Sequence, residues 1–577
     1  MRTLLATLHS KYIHASLALP CLAAYCGEEC GQIHIREFTV HEPRETILAA
    51  LLREEPDVIA FSVYLWNRRE TFDLIDALVV ARPELRLIVG GPEVSFDDSA
   101  ELFARHGGLT ALVRGEGELP FKALLAAWAA GREPDDIPRL ALRRGDRLVE
   151  GPDGPPLTDL DTLPSPFQAN LVDLSRGLVY FETSRGCPFR CAFCLSARDA
   201  AVRTFSLERV FADLQYLIDR KVPRIKLVDR TFNADPERAR KIWRFILARN
   251  RNSRFHFEIA AHLLDVETLD LLDTVPPGIF QFEIGVQSTL DATLRNIDRP
   301  AALHRLETTV RRLKTAGRIH LHLDLVAGLP GDGYADILAA IDRVAALRPD
   351  HLQLEPVKLL PGTPLRDRAD ELSLRFDPNP PYTVLTTPEL TFGELEHLRA
   401  ISRLLDLIYN AGCFPTFLAA LTTAAGSLAS GLERFAEDLI EHAWLRHPLG
   451  REGLVAALAE AIARCWPTEA AAPLREGLAF DLARCERMVP GRAAPLFDTV
   501  LTTEETDWVR DEVRRTTEQV RGQGIKLQQF AAAFHSLPGS PGRTVCLFLY
   551  RSRSSEGMSV EERRFCRATT PVEESEA

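Results

Sequence analysis

Three thiols in one short run constrain this chain more than any other feature. Cys187, Cys191 and Cys194 lie within Thr183-Ser184-Arg185-Gly186-Cys187-Pro188-Phe189-Arg190-Cys191-Ala192-Phe193-Cys194, a Cys-x3-Cys-x2-Cys spacing. A loop this tight gathers its thiolates round one small object. A structural zinc site takes four protein ligands, and no fourth Cys or His follows at the usual interval before Arg198. Three ligands leave one metal corner open, and soft thiolates suit iron-sulfur clusters.

Ahead of that loop, short apolar runs alternate with amphipathic ones. Thr3 to Leu8, Ile33 to Phe38, Val58 to Ser62, Leu85 to Gly90 and Ala111 to Arg114 read as strands. Leu17 to Tyr25, Ile47 to Leu52, Phe72 to Val80, Leu102 to Arg105 and Phe121 to Ala130 read as the helices between and after them. This predicts a doubly wound parallel sheet over residues 1–131. Such sheets bind ligands at the carboxyl ends of their strands. Those ends carry Ser62, Tyr64 and Trp66, then Gly90, Gly91, Pro92 and Glu93, then Gly115 and Glu116. Cys21, Cys26 and Cys30 fall on the first predicted helix, spread over about 13 Å, and read as buried small hydrophobes rather than as a second cluster site. Residues 132–175 are rich in Pro and Gly and read as a linker, with a small hairpin over Arg139 to Val149 around Arg144-Gly145-Asp146.

Residues 176–387 carry strands with one polar face. Ile319 to Asp324 alternates so that His320, His322 and Asp324 share a side. His256 with Glu258, Gln281 with Glu283, and His351 with Gln353 and Glu355 repeat the split, and Ile225-Lys226-Leu227 fits it. A closed barrel of eight strands fills its middle with Val, Ile and Leu. Here the apolar face must meet outer helices, leaving a polar face round a hollow interior, which argues for a partial barrel. Residues 388–568 read as mostly helical, from Phe392 to Tyr409, Leu432 to Leu445, Glu452 to Trp466 and Leu474 to Arg487, with late strands over Ile525 to Phe534 and Arg543 to Tyr550. The acidic residues 569–577 are expected to be disordered.

The Cys spacing, the Arg185-Gly186 approach and Phe193 just before the last Cys resemble the radical S-adenosylmethionine (SAM) enzymes. The order Val89-Gly90-Gly91-Pro92-Glu93 then Val113-Arg114-Gly115-Glu116-Gly117-Glu118 is similar to the cobalamin-binding domain of one class of them. The resemblance implies an α/β fold in which the doubly wound sheet is of cobalamin-binding type and the central region is a six-stranded partial (β/α)6 barrel. It implies three cofactors: a [4Fe-4S] cluster on Cys187, Cys191 and Cys194, SAM on the open iron, and cobalamin over the first sheet. Candidate SAM contacts are Phe193, Glu258, Gln287, Ser288 and Arg299, with Gly328 near adenine; Asp229 stands where relatives have a Gly-Gly-Glu for the amino group. Ser62, Tyr64, Trp66, Gly90, Gly91, Pro92, Glu93, Gly115 and Glu116 are the cobalamin candidates. The chain lacks the Asp-x-His-x-x-Gly loop by which other cobalamin proteins give a His to cobalt, and His9 and His14 do not fit that frame, so a lower cobalt face without a His ligand is expected. Catalytic candidates at the close of the barrel are Glu355 and Lys358.

The implied activity is 5'-deoxyadenosyl radical chemistry ending in C-methylation of an unidentified small-molecule or peptide substrate. Radical cyclisation or rearrangement with both cofactors is the alternative, and a cobalamin-binding iron-sulfur sensor the reading without catalysis. An electron donor such as flavodoxin or ferredoxin is implied as partner. With 69 basic and 81 acidic residues the net charge is −12, which offers no global attraction to nucleic acid. No apolar run approaches membrane-spanning length, and the 11 cysteines show no paired framework, so a reducing, cytoplasmic setting is expected.

Overall fold

The computed structural model describes residues 1–577 except 135, 200, 301, 490–495, 538, 539, 541, 554, 555 and 567–577. The expected acidic tail, 569–577, lies outside the described residues. Contacts divide the chain into two units, Met1–Gly333 with Pro356–Thr391, and Tyr334–Glu355 with Phe392–Ala577.

The first unit opens with five parallel strands, β1 (Arg2–His9), β2 (Gln32–Thr39), β3 (Val58–Ser62), β4 (Arg86–Gly90) and β5 (Leu109–Val113), ordered β2-β1-β3-β4-β5. Central strands of such a sheet are covered on both faces and read as continuous apolar runs. In β1 neighbouring residues serve opposite cores: Leu4 packs with Ile47, Phe72 and Leu78, while Leu5 packs with Leu19, Phe121 and Leu124. The hairpin forms as β6 (Leu140–Arg144) and β7 (Arg147–Glu150), but it is not linker. Both strands join the sheet antiparallel beyond β5, because Ala141 and Leu142 supply apolar side chains to its two cores. The first helix, Ala18–Cys26, ends at Gly27 with φ 64°, so Cys30 sits on a separate 3-10 turn and only Cys21 and Cys26 are helical. All three are buried.

Next come β8 (Leu178–Phe181), the two-residue pair β9 (Ser184–Arg185) and β10 (Arg203–Thr204), then β11 (Arg224–Leu227), β12 (Arg254–Glu258), β13 (Phe280–Gln287) and β14 (His320–Ala327). Strands β8, β11, β12, β13 and β14 pair in that order, all parallel. Side chains along β13 alternate strictly between buried and half-buried. Phe255, Phe257, Phe280 and Phe282 are fully buried on one face with Trp243 from the helix Pro236–Arg249. The opposite face carries Lys226, His256, Glu258 and Glu283, as the alternation predicts. The expected sixth strand forms as His351–Pro356 and, save Pro356, belongs to the second unit.

The second unit is mainly helical, with helices that include Phe392–Leu404, Leu428–Glu441, Arg451–Cys465 and Thr468–Cys485. Its late sheet has three antiparallel strands, Lys526–Phe534, Thr544–Arg553 and Glu556–Cys566. The third was not expected, since its run of Glu561, Glu562, Arg563 and Arg564 hides the apolar alternation. Phe480, Phe534 and Phe548 form the core between sheet and helix. No helix among the described residues is long and apolar enough to cross a membrane.

Candidate functional site

The thiol loop is held by its backbone. Gly186 has φ 91°, and a Cβ there would stand 2.4 Å from the Ala201 carbonyl, so only glycine lets the loop fold back on Asp199 and Ala201. Cys187 N then donates to Asp199 O at 3.0 Å, and Ala192 is stitched on both sides, its N to Ile297 O at 2.9 Å and its O from Leu365 N at 2.8 Å. Cys187 and Cys191 are buried, Cys194 half-buried. All three line one cavity of about 220 Å³. Among the described residues no group of three or more His, Cys, Asp or Glu side chains is arranged to hold a metal ion. Three soft thiolates on the lining of one cavity suit an iron-sulfur cluster.

Phe193, Glu258, Gln287 and Arg299 line the same cavity. Arg299 directs Nη1 to Cys191 Sγ at 3.4 Å and donates Nη2 to Gly285 O at 2.6 Å. Burial pushes the Cys191 thiol up, and the Arg299 guanidinium opposes it. The β13–β14 register slips between Gly285 and Gln287, and Gln287 takes φ 71°. A Cβ on Gly285 would lie 2.1 Å from Gln287 Nε2, so the bare glycine makes room for that amide over the strand. Glu283 and Asp324 also face the cavity. Burial, then the charge of Glu283, raises the Glu258 carboxyl to about 7. Glu283 is lowered to about 2: burial opposes, but His256 Nε2 at 2.7 Å and Lys226 Nζ at 3.3 Å outweigh it. A cavity with carboxylates on one wall and a guanidinium beside the thiols fits a ligand such as SAM, which carries both an ammonium and a carboxylate.

Three expected SAM contacts lie elsewhere. Asp229 is buried below the loop and accepts from Thr183 N at 3.0 Å, Thr183 Oγ1 at 2.6 Å and Ser184 Oγ at 2.6 Å, so it clamps the start of the thiol loop. Ser288 donates to Asp332 at 2.9 Å and is buried. Gly328 does not reach the cavity. Glu355 is exposed in the second unit, Lys358 is half-buried in the first, and neither lines this cavity or the larger one.

The larger cavity, about 740 Å³, opens at the carboxyl ends of the first sheet. Ser62, Tyr64 and Trp66 line it, as do Gly90, Gly91 and Pro92, then Gly115 and Glu116. Glu93 does not: it is buried, accepts from the Tyr382 hydroxyl and lies 3.7 Å from Arg68, pinning its loop to the segment after the barrel. Glu116 reaches the wall with its carboxylate engaged by Arg203 at 2.6 Å and Arg185 at 3.6 Å. Trp66 stacks on Tyr64 at 4.7 Å, and Trp66 and Phe96 are 47 % and 42 % exposed. Aromatic rings left bare round a cavity this size fit a large, mostly apolar macrocycle such as a corrin.

The wall on the barrel side escaped sequence reasoning. It includes Tyr180, Glu182, Arg185, Leu195 and Val228, together with His14 from the loop after β1. The polar alternation of β8 was the one available signal for Tyr180. Burial lowers the His14 pKa, helped by His9, Lys11 and Lys226. Leu195 and Val228 face the larger cavity, while Cys194, Arg230 and Thr231 face the smaller. The thiol loop and the end of β11 are therefore a partition with one cavity on each side.

Residues 3–125 match the B12 binding domain, 181–344 the radical SAM superfamily and 370–522 a protein family of unknown function, DUF4080. The chain is 28% identical to the cobalamin-dependent radical SAM methyltransferase TokK of Streptomyces tokunonensis, over 57% of this chain and 51% of TokK. It is 31% identical to 2-(S-pantetheinyl)-carbapenam-3-carboxylate methyltransferase of Streptantibioticus cattleyicolor, over 48% of this chain and 43% of that one. The matches thus span about half the length of these curated relatives. Among solved structures, TsrM from Kitasatospora setae with cobalamin and a [4Fe-4S] cluster bound aligns at TM-score 0.54 and 19% identity, covering 69% of this chain and 81% of TsrM. The chain thus carries a B12 binding domain followed by a radical SAM domain.

Proposed function

We infer that the protein is a cobalamin-dependent radical SAM methyltransferase acting on a carbon of a small-molecule substrate. The observation that carries this reading is the partition: the thiol loop has Cys194 on the wall of one cavity and Leu195 on the wall of the other. A SAM site and a corrin site on either side of one short loop put both within reach of a substrate at the partition. Bound there, the cluster and SAM would supply one-electron radical chemistry and the corrinoid a transferable methyl group.

The chain's own residues have defined parts. Cys187, Cys191 and Cys194 would hold the cluster, and Arg299 orients the loop through Cys191 and Gly285. Glu258, Gln287 and Arg299 would receive SAM. Tyr64, Trp66 and Phe96 would cover the corrin faces and exclude water. The named activities of TokK and of the carbapenam methyltransferase support methyl transfer as the outcome.

Anaerobic reconstitution with iron, sulfide and hydroxocobalamin, followed by dithionite and SAM, tests the reading. Formation of both 5'-deoxyadenosine and S-adenosylhomocysteine is expected, the first reporting reductive cleavage and the second departure of the methyl group. 5'-Deoxyadenosine without S-adenosylhomocysteine would favour radical rearrangement, and intact SAM would leave a cofactor-binding sensor.

A further inference from the structure

Cys187 is tied to the wall of the larger cavity by two separate routes. One runs along the chain: Gly186 precedes Cys187, and Arg185 before it stands on that wall. Its guanidinium donates to Glu118 at 2.8 Å through Nη2, and to Glu182 at 3.1 Å through Nε and 2.8 Å through Nη2. The other runs through space. Cys187 N donates to Asp199 O at 3.0 Å, the Asp199 carboxylate accepts from Arg203, and Arg203 donates to Glu116 at 2.6 Å and 3.1 Å. Glu116 also lies 3.6 Å from Arg185, so the two routes close into one cycle of contacts.

That cycle has a face on each site. Glu116 and Glu118, with Gly115 and Gly117 between and beside them, line the larger cavity at the end of β5, while Cys187 lines the smaller one. Little of the cycle is open to water: the side chains of Arg185, Arg203 and Glu118 are 14 %, 10 % and 7 % exposed. Solvent therefore replaces a lost partner poorly, and moving either guanidinium strands a carboxylate. Arg185 stands opposite Arg203 in the β9–β10 pair, so both guanidinium groups are carried on one paired piece of backbone. A cluster held by Cys187 fixes that backbone, and through it the carboxylates on the cavity wall. A corrinoid arriving next meets a wall already ordered, and less of its binding free energy is lost to ordering it.

We propose that Arg185 is a positioning residue that couples the two cofactor sites, so that a cluster on Cys187, Cys191 and Cys194 tightens the binding of a corrinoid in the larger cavity. The proposal rests on the proposed cluster and B12 sites. By linkage, the corrinoid tightens retention of the cluster by the same factor.

Equilibrium dialysis of the full chain against hydroxocobalamin, without oxygen, tests it, with and without a reconstituted [4Fe-4S] cluster. The corrinoid Kd is expected to be about tenfold lower in the cluster-loaded protein, within the range of about 5–150-fold found between linked sites. In Arg185→Gln the ratio of the two Kd values should fall close to one. A residue that merely supports the fold would weaken both and leave their ratio unchanged. Where Arg185→Gln takes up no iron, Glu118→Gln, which leaves the thiol loop untouched, decides by the same ratio. Equal or weaker corrinoid binding in cluster-loaded wild-type protein overturns the proposal, as does a ratio that survives the deciding variant; both results leave the B12 reading standing. Wild-type protein that binds no corrinoid in either form removes that reading and the proposal with it.

Discussion

Glu258 and Gln287 show what single residues contribute at the smaller cavity. The Glu258 carboxyl titrates near 7 in the fold and near 4.3 in an unfolded chain. Its folded-state pKa is the higher, so its favourable contribution is complete below pH about 4 and is lost as pH rises through about 7. Apo wild-type protein should lose up to about 3 kcal/mol relative to Glu258→Gln between pH 5 and 8, read by chemical denaturation at each pH. Glu283, shifted the other way, changes stability only between about pH 4 and pH 2 and leaves that window clear. Gln287 occupies left-handed backbone at φ 71°, a conformation costing an ordinary residue about 1–2 kcal/mol. Gln287→Gly should therefore be unchanged or stabilised by up to about 1 kcal/mol while SAM affinity falls, measured by melting and by titration of reconstituted protein. A destabilised variant with undiminished SAM affinity would mean that the strain serves the fold and not the site.

Among elements, the stretch from β8 to β10 decides whether three thiols can act together. β9 and β10 close the loop antiparallel, Ser184 opposite Thr204 and Arg185 opposite Arg203. Asp229, at the end of β11, holds the loop's entry through three hydrogen bonds to one carboxylate. Asp229→Ala should cost about 2–4 kcal/mol and lower the iron content of reconstituted protein, although no Cys is touched. Full iron loading in that variant would show that backbone bonds to Asp199, Ile297 and Leu365 suffice to shape the loop.

Across the whole molecule, ion pairs join the sheet domain to the thiol loop within the first unit. Arg185 meets Glu118 and Glu182 at 2.8 Å each, and Arg203 meets Glu116 at 2.6 Å. Removing one partner of such a half-buried pair strands the other, so Arg203→Ala should cost about 2–3 kcal/mol. The double variant with Glu116→Gln should be less destabilised than the sum of the single ones, a coupling read from a double-mutant cycle of unfolding free energies. Strict additivity would mean that the pair does not hold the two domains together.

Local chemistry settled a good deal before folding. Cys187, Cys191 and Cys194 are so close in the chain that their spacing alone foretold that they would share one loop and one cavity. The alternation in β12 and β13 likewise sorted Phe255 and Phe257 from His256 and Glu258, because strand neighbours face opposite ways whatever surrounds them. Eight of nine residues chosen from strand ends reach the larger cavity for the same reason: in a parallel sheet those ends share one edge. Asp229, Ser288 and Glu93 were misplaced because their nearest polar partners, Thr183, Asp332 and Tyr382, come from distant segments and claim them first. His14 beside Tyr180, Arg185 beside Glu118, and the partition between two cavities exist only once residues more than 60 positions apart are packed together. Periodicity reports which way a side chain points, and only tertiary packing decides what it meets.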